Sequence, residues 1–222
     1  ISVFIISFPQ NIIGCGPDAD PYDYYTSFFY QHLVDAKAYQ PFYYTSYNFL
    51  YDESEPVETA GVLCKEWSNY CGSNVTEKDA KDFLIDYSSK DINNLYYHLE
   101  KNQPLNIPDS VKQNRMTNYF MGSKNFEALG YILYAKKTMP LVAASDGWDA
   151  PVRDTAKMNK LIKNGFQLLN VAKEDFFKLR YTYQILRLAH YAYRYEDVIS
   201  WYDQYMKFDQ SNSVVKNLCT AL

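Results

Sequence analysis

The chain has 222 residues, of which 47% are apolar and 18% aromatic, with 23 Tyr among them. That is long and apolar enough for one large domain or a short helical array with a packed core. A net charge of −4 with no basic run argues against nucleic-acid binding, which needs a Lys/Arg footprint, and only 8 Gly argue against a turn-rich all-β fold or a phosphate-cradling loop. The cysteines Cys15, Cys64, Cys71 and Cys219 form no CxxC. The histidines His32, His98 and His190 stand apart from them and from each other, so neither a metal site nor a cofactor is expected. Cys64 and Cys71 would share one face of a helix and read as buried thiols, with a disulfide as the alternative if the chain is exported.

Residues 1–14, ISVFIISFPQNIIG, hold an apolar run too short to span a bilayer. With Ile12, Ile13, Gly14 and Cys15 they resemble a bacterial lipoprotein signal: an apolar stretch, an aliphatic residue three before the cysteine, a small residue, then the cysteine. The resemblance implies that Cys15 becomes the lipidated N-terminus and anchors the protein in the cell envelope, on the outer membrane and facing the surface. The competing reading is a buried strand or helix ending at a buried cysteine. Asp18, Asp20 and Asp23 follow, between and after Pro17 and Pro21. They resemble the acidic surface-export tag of Bacteroidota lipoproteins. Residues 15–55 thus read as a lipidated tether and a Tyr-rich segment, in which Tyr44, Tyr47 and Tyr51 can share a face.

From residue 56 to 222 the pattern is helical. Val57–Tyr70 carries the stripe Val57, Ala60, Leu63, Cys64 and Trp67, closed by Gly72. Thr76 and Asp79 form a capping box for Glu77–Tyr87, Asp91 caps the next helix, and Asp109 caps Ser110–Met121. A longer helix starts at Ser123 and is kinked or ended by Pro140. After the loop 144–151, Val152–Val171 presents Met158, Leu161, Ile162, Gly165, Leu168 and Leu169. Lys173–Tyr193 and Tyr195–Phe208 follow, and the tail from Ser211 starts another helix, as though the array continued.

Phe177–Met206 is similar to a tetratricopeptide-like hairpin. Leu188, Ala189 and Ala192 stand late in the first helix, Arg194-Tyr195-Glu196-Asp197 stands at the turn, and Trp201 and Tyr202 stand near the bulky position of the second. Tyr193 departs from the family's Gly before the turn; Val198 and Tyr205 are larger than its Ala, implying a looser crossing. The layout as a whole, from the lipoprotein cysteine through DPYDYYTSFF and EALGYILYAKK to KLRYTYQILRLAHYAYRYEDVISWYD, resembles a group of Bacteroidota envelope proteins and carries no activity with it. The fold expected is all-α, with antiparallel helix pairs stacked as a TPR-like solenoid behind an irregular N-terminal segment.

The chemistry is sparse. Glu53–Glu55, Glu174–Asp175 and Glu196–Asp197 fall in turns or first helical turns, where acids favour the helix N-terminus. His190 has no paired nucleophile and reads as packed. Ser145–Asp149 lacks calcium-loop spacing. Arg180, Arg187 and Arg194 recur every seven residues and would share one face. They can clamp acidic groups of a partner, pair with acids on the next helix, or lie in solvent. With Tyr191, Trp148 and Trp201 they make the candidate binding surface.

The expected function is therefore a non-enzymatic scaffold that holds another envelope protein. A glycan binder is the alternative, requiring coplanar exposed aromatics among Tyr43, Tyr47, Trp148 and Trp201. A hydrolase is a second alternative, requiring a pocket of convergent polar groups. A protein scaffold should instead show a groove of mixed polar and apolar lining.

Overall fold

The computed structural model describes residues 59–143 and 153–222, all within the unit Val57–Leu222. Cys15, the tether, Tyr43, Tyr47, Glu53–Glu55 and the loop with Trp148 lie outside the described residues. The described residues are all-helical: ten α-helices and one π-helical turn, with no strand. They are α1 (Thr59–Cys71), α2 (Glu77–Lys81) continuing into the π-turn Asp82–Asp86, α3 (Ser89–Lys101), α4 (Asp109–Gln113) and α5 (Arg115–Ser123). Then come α6 (Phe126–Val142), α7 (Thr155–Val171), α8 (Asp175–Tyr191), α9 (Tyr195–Tyr205) and α10 (Val214–Ala221).

Local chemistry sets most boundaries. Gly72, at φ 96°, ends α1 in the left-handed region that glycine tolerates best. Thr76 and Asp79 close the capping box on α2. Several boundaries differ from expectation. Pro108 rather than Asp109 stands at the cap of α4, and Asn125 caps α6, Ser123 being the last residue of α5. Ser88, not Asp91, caps α3; its Oγ accepts from the Asp91 amide and Asp91 takes the third helical place. The helix expected over Ser110–Met121 is broken by Asn114, whose carbonyl oxygen accepts from the amides of Met116 and Thr117 and starts α5. Pro140 lies in the last turn of α6, which runs on to Val142.

Helix α8 is the hub. It packs against α6, α7, α9 and α10. It reaches α1 through the ring contact of Phe177 with Trp67, at 6.0 Å, and through an ion pair from Arg180 to Glu66. The abundant tyrosines fill this junction. Tyr131, Tyr134 and Tyr181 are buried, and the Tyr134 hydroxyl donates to the Leu161 carbonyl at 3.0 Å, so a phenol bridges α6 to α7 without stranding its polar tip. The first and last described helices also touch, since α10 packs on α1 as well as α8. A contact of that sequence separation is additional to nearest-neighbour stacking.

The α8–α9 turn is a Schellman closure. The Arg194 amide donates to the Ala189 carbonyl at 2.9 Å and the Tyr193 amide to His190 at 3.0 Å. This geometry puts Tyr193 at φ 62°, the position where the resembling hairpins carry Gly. Its side chain is 59% exposed and has little packing to lose. Tyr193→Gly is expected to stabilise the protein by about 1 kcal/mol by removing left-handed strain, seen as a melting temperature higher by about 3 °C. A lower melting temperature would mean that the Tyr193 ring, 6.5 Å from that of Tyr195, matters more than the strain.

Candidate groove on the central helix

The expected arginine stripe does not form as a surface. Arg180 is 1% exposed. Its Nη2 meets Glu66 Oε2 at 2.5 Å, its Nη1 donates to the Phe176 carbonyl at 3.1 Å, and its guanidinium lies 3.3 Å from the Phe176 ring centroid. A buried guanidinium needs such a partner, because desolvation opposes its charge. Arg187, half-buried, sits 5.9 Å from the Tyr183 centroid. Arg194 lies beyond the end of α8, where it bonds Asp197 at 2.7 Å and Asn159 at 2.8 Å and covers Trp201 at 5.1 Å. The seven-residue spacing therefore does not place the three on a common face. Tyr191 lies under Arg153 at 4.8 Å, and Trp201 packs edge-on to Phe166 at 4.8 Å.

The remaining candidates for chemistry have structural partners. His190 Nδ1 lies 3.1 Å from the Leu222 carbonyl. Asp197 holds Arg194, and Glu174 accepts from the Tyr70 hydroxyl at 3.0 Å. Lys136, buried with its basicity lowered by desolvation, donates to the Tyr87 carbonyl at 2.6 Å and caps the π-turn. Burial pushes the Cys71 and Cys219 thiols up to about 12, which leaves little thiolate near neutrality. Among the described residues no three His, Cys, Asp or Glu side chains gather as metal ligands do, and no helix is long and apolar enough to cross a membrane.

Among the described residues a groove crosses the N-terminal half of α8. A groove of about 520 Å³ is lined by Glu66, Asn69 and Tyr70 of α1, by Asp175, Phe176, Leu179 and Arg180 of α8, and by Asp209 and Ser211–Ser213. A second hollow of about 360 Å³ shares Asp175, Leu179 and Asp209 with it and continues to Leu169, Asn170 and Tyr205. Polar, apolar and aromatic groups alternate along it. Of the candidate binding-surface residues that are described, Arg180 alone lines it, with its guanidinium turned to Glu66; Asp175 of the Glu174–Asp175 pair lines it too.

The floor is rigidly built. Tyr70 and Phe176 stack at 4.4 Å. The Tyr70 hydroxyl receives a bond from the Asn125 amide at 2.7 Å and donates to Glu174. Burial, and next the Glu174 carboxylate, raise it above the usual phenol range, so it stays protonated as the donor. Glu127 at the start of α6 accepts from the Lys173 and Glu174 amides at 2.7 and 3.2 Å and fixes the entry to α8. Phe176 is covered on one side by Tyr70 and contacted by the Arg180 guanidinium, so it offers no open ring for stacking. Comparison with protein-family models, curated proteins and solved structures gives no match.

Proposed function

We propose that this protein is a non-enzymatic scaffold of the cell envelope, anchored through a lipid on Cys15, that holds another envelope protein on a tetratricopeptide-like helical surface. The observation that carries the binding half is the groove across α8, whose mixed lining of Asn, Ser, Asp, Leu and aromatic side chains suits a protein segment. The hairpin α8–α9, with its Schellman turn, supports the repeat-like reading, as does the close approach of α7 to α8 at Gly165. Glycan capture has less support among the described residues. Phe176 is engaged by Tyr70 and Arg180, and Arg194 lies over Trp201. The envelope address rests on Ile12-Ile13-Gly14-Cys15.

The groove is tested by placing p-benzoylphenylalanine at Asn212, which is exposed on its wall, and at the remote exposed Lys101, in cells that make the full precursor. Irradiation is expected to give a discrete protein adduct from position 212. An excess of unlabelled protein should compete the adduct away, and position 101 should not give it. No adduct from 212, or the same adducts from both positions, would remove the groove as the docking site.

A further inference from the structure

The wall of the groove that faces α1 and α8 is built unlike the other two. Residues 207–212 line both hollows through Asp209, yet their bonds stay local. The Lys207 amide donates to the Tyr202 carbonyl at 3.0 Å and its ammonium pairs with Asp203 at 3.1 Å. The Asp209 amide donates to Met206 at 3.1 Å, Gln210 to Phe208 at 3.5 Å, and Ser211 to Asp209. Among the described residues none of these bonds reaches α1 or α8. Phe208, at the start of the segment, is 80% exposed. The segment crosses the groove between a buried Met206 and the start of α10, where one carboxylate takes hold: Glu66 accepts from the Ser213 hydroxyl at 2.8 Å and from the Val214 amide at 2.7 Å. Beyond that point α10 is short, and its buried side chains are Val215 and Cys219. Three further contacts hold its polar edge: Thr220 with the Tyr202 hydroxyl at 3.1 Å, Lys216 over the Tyr202 ring at 5.1 Å and the Leu222 carbonyl with His190 at 3.1 Å.

We infer that residues 207–221 form a hinged arm that gates the groove, with its pivot at Met206 and Glu66 as its latch. Opening releases Ser213 and Val214 from Glu66 while Glu66 keeps Arg180, so the buried guanidinium is never left alone. It lifts α10 from α1 and α8, parts Thr220 and Lys216 from Tyr202 and Leu222 from His190, and joins the two hollows into one channel. Short elements tied by few contacts open before the core does. The inference concerns access alone and holds whatever occupies the groove.

Cys219 reports the opening. It is 2% exposed, as is Cys64 in α1, so either thiol must be uncovered before an alkylating reagent can reach it. The test is timed iodoacetamide labelling of the folded protein under native conditions, read peptide by peptide. Cys219 is expected to react at least about ten-fold faster than Cys64, because the arm opens without the core. Val214→Pro removes the latching amide at a first helical position where proline fits, and Ser213, at φ −103° and ψ 141°, already has the extended backbone that a following proline demands. It is expected to speed Cys219 labelling by roughly ten-fold, the scale of one lost bond to a charged group, and to leave Cys64 unchanged. Ser213→Ala, which removes the second bond, should act in the same direction. Equal rates at Cys219 and Cys64 in the wild type, or a variant that speeds both alike, would overturn the arm: α10 would then be uncovered only when the whole unit unfolds.

Discussion

Replacing Glu66 with alanine is expected to destabilise the protein by about 3–5 kcal/mol, the range for removing one partner of a buried ion pair. The Arg180 side chain is 1% exposed and that of Glu66 18%, so solvent screens the pair little. Without Glu66 the guanidinium keeps the Phe176 carbonyl and the Phe176 and Trp67 rings but no charged partner among the described residues, and α10 loses two bonds at its start. Chemical denaturation measures the loss. The double variant Glu66→Met/Arg180→Met separates the ion pair from mere lost volume. It should be more stable than Glu66→Ala, because no charge is left buried without a partner. A loss under about 1 kcal/mol for Glu66→Ala, the scale of a surface pair, would mean that Arg180 reaches water in solution.

Gly165→Ala is expected to cost about 2–3 kcal/mol, the upper part of the range for overpacking, even though alanine favours a helix by about 1 kcal/mol. A Cβ at this position would lie 2.3 Å from the Tyr134 hydroxyl oxygen and 2.8 Å from Ile185 Cγ1. Neither neighbour can yield freely. The Tyr134 hydroxyl is bonded to the Leu161 carbonyl, and Ile185 is 1% exposed in the core. Removing that hydroxyl with Tyr134→Phe should recover part of the loss. Gly61→Ala in α1, where an added Cβ meets nothing within 4 Å among the described residues, is the control and should stabilise. If both glycine variants stabilised alike, α7 would not approach α6 and α8 as closely as the structure shows.

The helices were legible in the sequence because their signals are local. The Thr76/Asp79 box, Gly72, and the stripe through Cys64 and Trp67 each act over a few residues. Asn114 carries no clear signal, because an asparagine inside an apolar pattern reads equally as a solvent-facing residue; its bonds to Met116 and Thr117 make it a cap. Ser88 and Asp91 belong to one capping motif, so either reads as the cap until the bond from the Asp91 amide to Ser88 Oγ distinguishes them. The site was far less legible. Spacing places Arg180 and Arg187 on one helix but does not say which neighbour covers each, and the partner of Arg180 lies 114 residues away in sequence. Glu66 gave no signal of its own, standing as one acid beside an apolar stripe. Tyr70 and Phe176 were visible as aromatics, but their stacking joins α1 to α8 through tertiary contact alone.

The proposed scaffold role rests on an envelope address for both the protein and its partner. Intact mass spectrometry of the membrane fraction tests it most directly, with the complete precursor compared with its Cys15→Ala variant. The account predicts a mature chain beginning at Cys15 and carrying acyl mass that the variant lacks, since stable anchoring takes more than one acyl chain. An unmodified chain that keeps residues 1–14 would contradict it, and the groove would then be that of an adaptor working elsewhere in the cell.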